Sequence, residues 1–90
     1  MQMKPINQEA IAEDNQIRTA LANLIKENRK RQKLTVREVV QACERLGWRT
    51  GPTQYNRIEK GLADVSISQS RILGRVLSIS SKEFIGCLFV

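Results

Sequence analysis

Thr53, Gln54, Asn56, Arg57 and Lys60 lie within eight residues and bring together a hydroxyl, two carboxamides and two cations. Such side chains hold and read polyanions by hydrogen bonding. A glutamine amide pairs with adenine through N6 and N7. A threonine meets a base edge or a thymine methyl, and an arginine grips guanine through O6 and N7. Each good bidentate pair supplies ~1–3 kcal/mol of discrimination between bases. Thr53 and Gln54 fall in the first turn of the segment, with Arg57 one turn further along the same face. Lys60, at the end, suits phosphate better than a base. Asn56 reads equally well as a base contact or a solvated position. Arg49 and Thr50, just upstream, are expected to touch backbone oxygens.

Bond-breaking chemistry has little to draw on. The chain has no histidine, and Cys43 and Cys87 form no C-x-x-C pair, so a zinc site is not expected. WRTGP is not a phosphate-binding loop, and the acids are scattered. Neither an enzyme nor a cofactor is expected.

The polar set needs a rigid support, and the surrounding sequence describes one. Thr35 and Glu38 make a T-x-x-E capping box, and Leu34 and Val39 sit at the positions of a hydrophobic staple. Val36, Val39, Val40, Cys43 and Leu46 then form one apolar stripe, with Cys43 a small buried thiol. Gly47 ends that helix. Gly51-Pro52 opens the next, since proline suits the first helical position. A short helix over 52–60 follows, with Tyr55 and Ile58 facing inward and Gly61 as its stop. Trp48, in the intervening turn, is read as a core plug rather than a stacking group.

Upstream, Ile17, Leu21, Leu24 and Ile25 have helical spacing, which predicts a helix over 17–31. Residues 1–16 form an extension in which Asn7 is a candidate cap for a helix through Asp14. Whether one helix runs unbroken from residue 8 is open. Downstream, Ser66 with Gln69 and Ser80 with Glu83 repeat the capping box. Ile67, Ile72, Leu73, Val76 and Leu77 define a fourth helix, and a fifth is predicted over 81–88, stapled by Ile79 and Phe84. No segment alternates like a strand. The expected class is all-α, a bundle of about five helices in one small domain.

The chain has 90 residues, a net charge of +6 and a pI near 9.9. Between Arg18 and Lys60 eleven basic residues face four acidic ones, whereas residues 1–17 carry −2. The basic excess therefore coincides with the polar set, and nucleic acid is the natural polyanionic partner. Asn28 to Lys33 reads as a helix end or as a phosphate flank, with Lys30 assigned to the first. No run of ~18 apolar residues is present to span a membrane, and MQMKPINQEAIAED lacks a signal peptide's apolar stretch. An intracellular, reducing setting is expected.

Residues 17–85 resemble the lambda-repressor-like helix-turn-helix regulators of the XRE/Cro/C1 family. YNRIEKG, residues 55–61, is similar to that family's I-S-R-I-E-N-G at the end of the recognition helix. Leu34-Thr35 through Val39-Val40 resembles its L-S-x-x-x-L-A opening of helix two. VLSISSKEFIG resembles its A-L-G-V-S-x-x-x-L passage between helices four and five. The resemblance implies that 52–60 is the recognition helix, which lies in the major groove, that Lys60 holds phosphate, and that Arg29 pairs with Glu59. Separately, the main-chain amides at the start of helix two, near Thr35, offer a further phosphate site. Two departures stand out. The helix-two entry and the recognition helix are about five residues farther apart than usual in the family, and the turn over Leu46 to Pro52 is longer. Val36 replaces a common glutamine, which removes one phosphate contact.

The resulting expectation is a sequence-specific, cytoplasmic transcriptional regulator of bacterial or phage type. It would act as a homodimeric repressor on a near-palindromic operator in double-stranded DNA. Part of the apolar tail IGCLFV is expected to pad the core and the surplus to form a dimer contact. An antitoxin or restriction-modification controller would use the same reader, with a toxin or anti-repressor as protein partner. An adaptor on this fold that does not read bases is the remaining alternative.

Overall fold

The computed structural model of the chain describes residues 6–88, with side chains from residue 13 onward. Five helices follow one another: α1 (Ile6–Arg31), α2 (Val36–Arg45), α3 (Pro52–Glu59), α4 (Ile67–Leu77) and α5 (Ser81–Cys87). No strand occurs among the described residues, so the class is all-α.

Local chemistry explains most of the boundaries. All three capping boxes form, at Thr35/Glu38, Ser66/Gln69 and Ser80/Glu83. In each, the hydroxyl accepts from the third helical amide while that residue's side chain accepts from the cap amide. At the other ends, α1 to α4 each turn out through one residue in the left-handed region: Lys33, Gly47, Gly61 and Ser78. At Gly47 the amides of Gly47 and Trp48 return to the carbonyls of Glu44 and Cys43 at 3.0 and 2.9 Å. The same crossed pair closes α3, from Gly61 and Leu62 to Ile58 and Arg57. Both satisfy carbonyls that the helix leaves unpaired.

α1 is the spine. It is one unbroken helix of 26 residues, so the residue-17 start expected from the apolar spacing lies mid-helix. Asn7 falls inside it and not at its cap. α1 packs on α3, α4 and α5, while α2 packs on α3 and α4. The core gathers where they meet: Ile25, Val39, Val40, Cys43, Tyr55, Ile58, Leu73, Leu77 and Ile79 are buried. Trp48 packs against this cluster, as a plug should, and Phe84 does so from α5. Two expected core residues are outside it. Leu46 is 41% exposed and Ile67 is 91% exposed. Ile67 is the first residue of α4 and overshoots the body, so helical spacing alone misplaced it.

Side chains from α1 also fasten the loops. Arg18 pairs with Asp64 at 2.7 Å in the α3–α4 link. Gln32 donates to the carbonyl of Leu77 at the end of α4.

Candidate nucleic-acid interface

α3 divides cleanly into two faces. Tyr55 and Ile58 are 0% and 1% exposed, and Glu59 is 8% exposed. Thr53, Gln54, Asn56, Arg57 and Lys60 are all exposed. The helix opens on Gly51, which provides no side-chain cap, with Pro52 in the first turn and no acid there. The amides of Thr53 and Gln54 lack an acceptor one turn back, so the positive end of α3 is left open toward solvent.

The start of α2 contrasts with this. Its Thr35 amide donates to the Glu38 carboxylate at 2.8 Å, and the Glu38 amide donates to the Thr35 hydroxyl at 3.1 Å. These hydrogen bonds hold the Glu38 carboxyl below its ordinary value, with the Thr35 amide contributing most. A carboxylate thus occupies the place expected to receive phosphate near Thr35. The Val36 and Arg37 amides are the ones there without a capping partner.

Between α2 and α3 the link of residues 46–51 is longer than the three- or four-residue turn typical of the motif. Arg49 is exposed on it. Thr50 is not: it is 7% exposed, and its hydroxyl donates to the Gly51 carbonyl at 3.4 Å. The expected backbone-oxygen contact of Thr50 is therefore corrected to a structural role. The Trp48 carbonyl accepts from the Thr50 amide at 3.1 Å, which folds Thr50 under the link.

A single guanidinium anchors α3 from behind. Arg29 Nε donates to Glu59 Oε2 at 2.6 Å and a terminal nitrogen donates to Oε1 at 3.0 Å. Its other terminal nitrogen donates to the Leu34 carbonyl at 3.0 Å. The side chains of Arg29 and Glu59 are 15% and 7% exposed, so this is a two-pronged, largely buried pair. Burial drives the Glu59 carboxyl upward, but the hydrogen bonds of Arg29, the neighbouring Tyr55 hydroxyl and the charges of Arg29 and Lys26 together outweigh it and leave it below the ordinary glutamate value. α1, the α1–α2 link and α3 meet at this point.

Tyr55, one turn before Glu59, has a fully buried hydroxyl beside the Arg29–Glu59 pair that meets no partner in hydrogen-bond geometry. Its burial pushes the phenol strongly up, so it stays neutral. Burial likewise raises the Cys43 thiol to about 11. On the exposed side, Arg57 donates to the Leu62 carbonyl at 3.3 Å. Engaging a base requires it to leave that contact, which costs about 1 kcal/mol for a solvated hydrogen bond.

Within 28–33 the structure separates roles that the sequence leaves together. Asn28 is 4% exposed and donates to the Leu24 carbonyl at 2.7 Å. Arg31 donates to the Asn28 side chain. Lys30 and Lys33 are exposed. Of the tail, Cys87 is buried, Ile85 and Leu88 are about half exposed, and residues 89–90 lie outside the described residues.

Comparison with known proteins found no matching family, no similar curated protein and no similar solved structure. No helix among the described residues is long and apolar enough to cross a membrane.

Proposed function

We propose that this chain is a sequence-specific DNA-binding regulator of the lambda-repressor-like helix-turn-helix type, acting as a homodimer on a near-palindromic operator. The carrying observation is the partition of α3. Every polar side chain expected at base edges is exposed, while Tyr55, Ile58 and Glu59 are buried against the scaffold. A reader must be held rigidly if its amides are to meet base edges, and the Arg29–Glu59 pair supplies that hold.

In this reading α3 enters the major groove with its uncapped end first. Thr53 and Gln54 reach bases, Arg57 reads one turn further on, and Asn56 is a subsidiary contact. Lys60 and Arg49 neutralise phosphates. A two-fold dimer sets the two readers one DNA turn apart, ~34–36 Å. Antitoxins and controllers of restriction-modification systems would share this mechanism, with a toxin or an anti-repressor as partner.

In vitro selection of bound duplexes tests the reading. The wild type should enrich a palindrome, and Gln54→Ala and Arg57→Ala should each relax preference at defined positions. Equal, weak binding of random and selected duplexes would instead identify an adaptor that does not read bases.

A further inference from the structure

A groove of about 940 Å³ lies between α4 and α5 beside Leu21 of α1, and none of the candidate DNA contacts lines it. Leu21, Ile67, Ile79, Phe84, Ile85 and Leu88 give it an apolar floor and wall. Its rim carries Arg71 and Arg75, one helical turn apart, and no acidic residue lines it. Ile67 at its mouth is 91% exposed, and Ile85 and Leu88 are 52% and 51% exposed. An occupant must therefore be apolar on one side and acidic at its edge.

The chain contains one such segment. Of the stretches 1–17, 18–60 and 61–90, only the first has net negative charge, three acids against one lysine, and it includes Ile6, Ala10, Ile11 and Ile17. Residues 13–16 are all exposed. The molecule measures 51 × 24 × 19 Å, and a 26-residue helix spans about 39 Å. Residues 13–16, just ahead of the Arg18–Asp64 contact, are thus an exposed stretch of that helix.

We propose that the groove receives the N-terminal arm of α1 from a second copy, with Glu13 and Asp14 set against Arg71 and Arg75 of the receiving protomer. Because α1 is unbroken, the arm does not fold back into its own groove. Reciprocal exchange fills both grooves by one two-fold operation, which closes the assembly at two. Groove-on-groove pairing would instead bring four arginines together, and like charges facing each other oppose association. The inference rests on the dimeric part of the proposed function and not on base reading.

Charge exchange tests it in the absence of DNA, so its outcome is separate from that of the reader. One variant carries Arg71→Glu and Arg75→Glu, the other Glu13→Lys and Asp14→Lys. All four positions are exposed, and circular dichroism checks that helicity is kept. By analytical ultracentrifugation the wild type should dimerise, and each variant alone should dimerise at least ~30-fold more weakly. An equimolar mixture should recover the wild-type constant to within ~3-fold, because each altered groove then meets its complementary arm. A monomeric wild type, two variants that stay dimeric, or a mixture that stays monomeric would each overturn the assignment. If either variant loses its helical signal, Ile67→Lys replaces it and must give a monomer; a dimer there would equally overturn it.

Discussion

Glu59→Ala is the sharpest probe of how α3 is held. The substitution leaves the Arg29 guanidinium, 15% exposed, with the Leu34 carbonyl as its remaining acceptor. Breaking a buried pair from one side costs ~3–5 kcal/mol, mostly because the surviving charge is stranded. Arg29 retains some access to water, which favours the lower end, about 3 kcal/mol. A domain of this size unfolds with ~5–13 kcal/mol in total and loses ~4–8 °C of Tm per kcal/mol. Glu59→Ala should therefore melt roughly 12–24 °C below the wild type by circular dichroism. A double-mutant cycle with Arg29→Ala should show ~1–3 kcal/mol of coupling, and DNA binding should weaken with it. Acid provides an independent check. The Glu59 carboxyl is depressed in the folded state, so its contribution is complete above the unfolded glutamate value of ~4.3. It is lost as pH falls through the lower folded value. Below pH ~4.3 the wild-type Tm should then drop more steeply than that of Glu59→Gln. A Tm for Glu59→Ala within about 2 °C of the wild type would show that the pair is energetically idle.

Three further outcomes follow from particular atoms. Gly74→Ala should destabilise α4 although alanine is the better helix former by ~1 kcal/mol, because the added methyl would sit 2.9 Å from the Ile79 carbonyl oxygen; a raised Tm would refute the clash. Tyr55→Phe removes a buried hydroxyl that has no partner, and should raise Tm by ~4–8 °C if ~1 kcal/mol of desolvation is relieved. A lowered Tm would show that the hydroxyl is bonded to Glu59. Lys60→Ala should weaken all duplexes alike and reduce the magnitude of the log-log salt slope by ~0.9; a change of base preference without a change of slope would move Lys60 from phosphate to base.

What the sequence made legible was whatever is decided within four residues. The three capping boxes announce their helix starts because donor and acceptor are local, and all three form. The inward pair Tyr55 and Ile58 follows from spacing alone. Lys33 and Ser78 adopt the left-handed region without the glycine that would have flagged it. The burial of Thr50 depends on Trp48 seating against the core, which residue type does not announce. Arg29 and Glu59 are thirty residues apart, and no periodicity connects them; family resemblance alone pointed to the pair. Ile67 shows the converse limit, since a periodic apolar residue is buried only if the body extends beneath it. That missed position is also the mouth of the α4–α5 groove.

The same distinction changes how the basic charge should be weighed. Counting gives eleven cations against four acids between Arg18 and Lys60, yet position decides which of them attract phosphate. Arg18 and Arg29 are bound to Asp64 and Glu59, and their charge goes into joining α1 to the α3–α4 link and to α3. Setting those two cations and Glu59 aside leaves nine cations against three carboxylates in the stretch. The excess therefore survives the loss of its structural members. Six of the remaining cations, Lys33, Arg37, Arg45, Arg49, Arg57 and Lys60, come from the α1–α2 link, α2, the residue 46–51 link and α3, and all are exposed. Counterion release depends on such solvated cations and not on the net charge of the chain. Charge removal at Arg49 or Lys60 should thus alter the salt slope, whereas removal at Arg18 should act through stability alone.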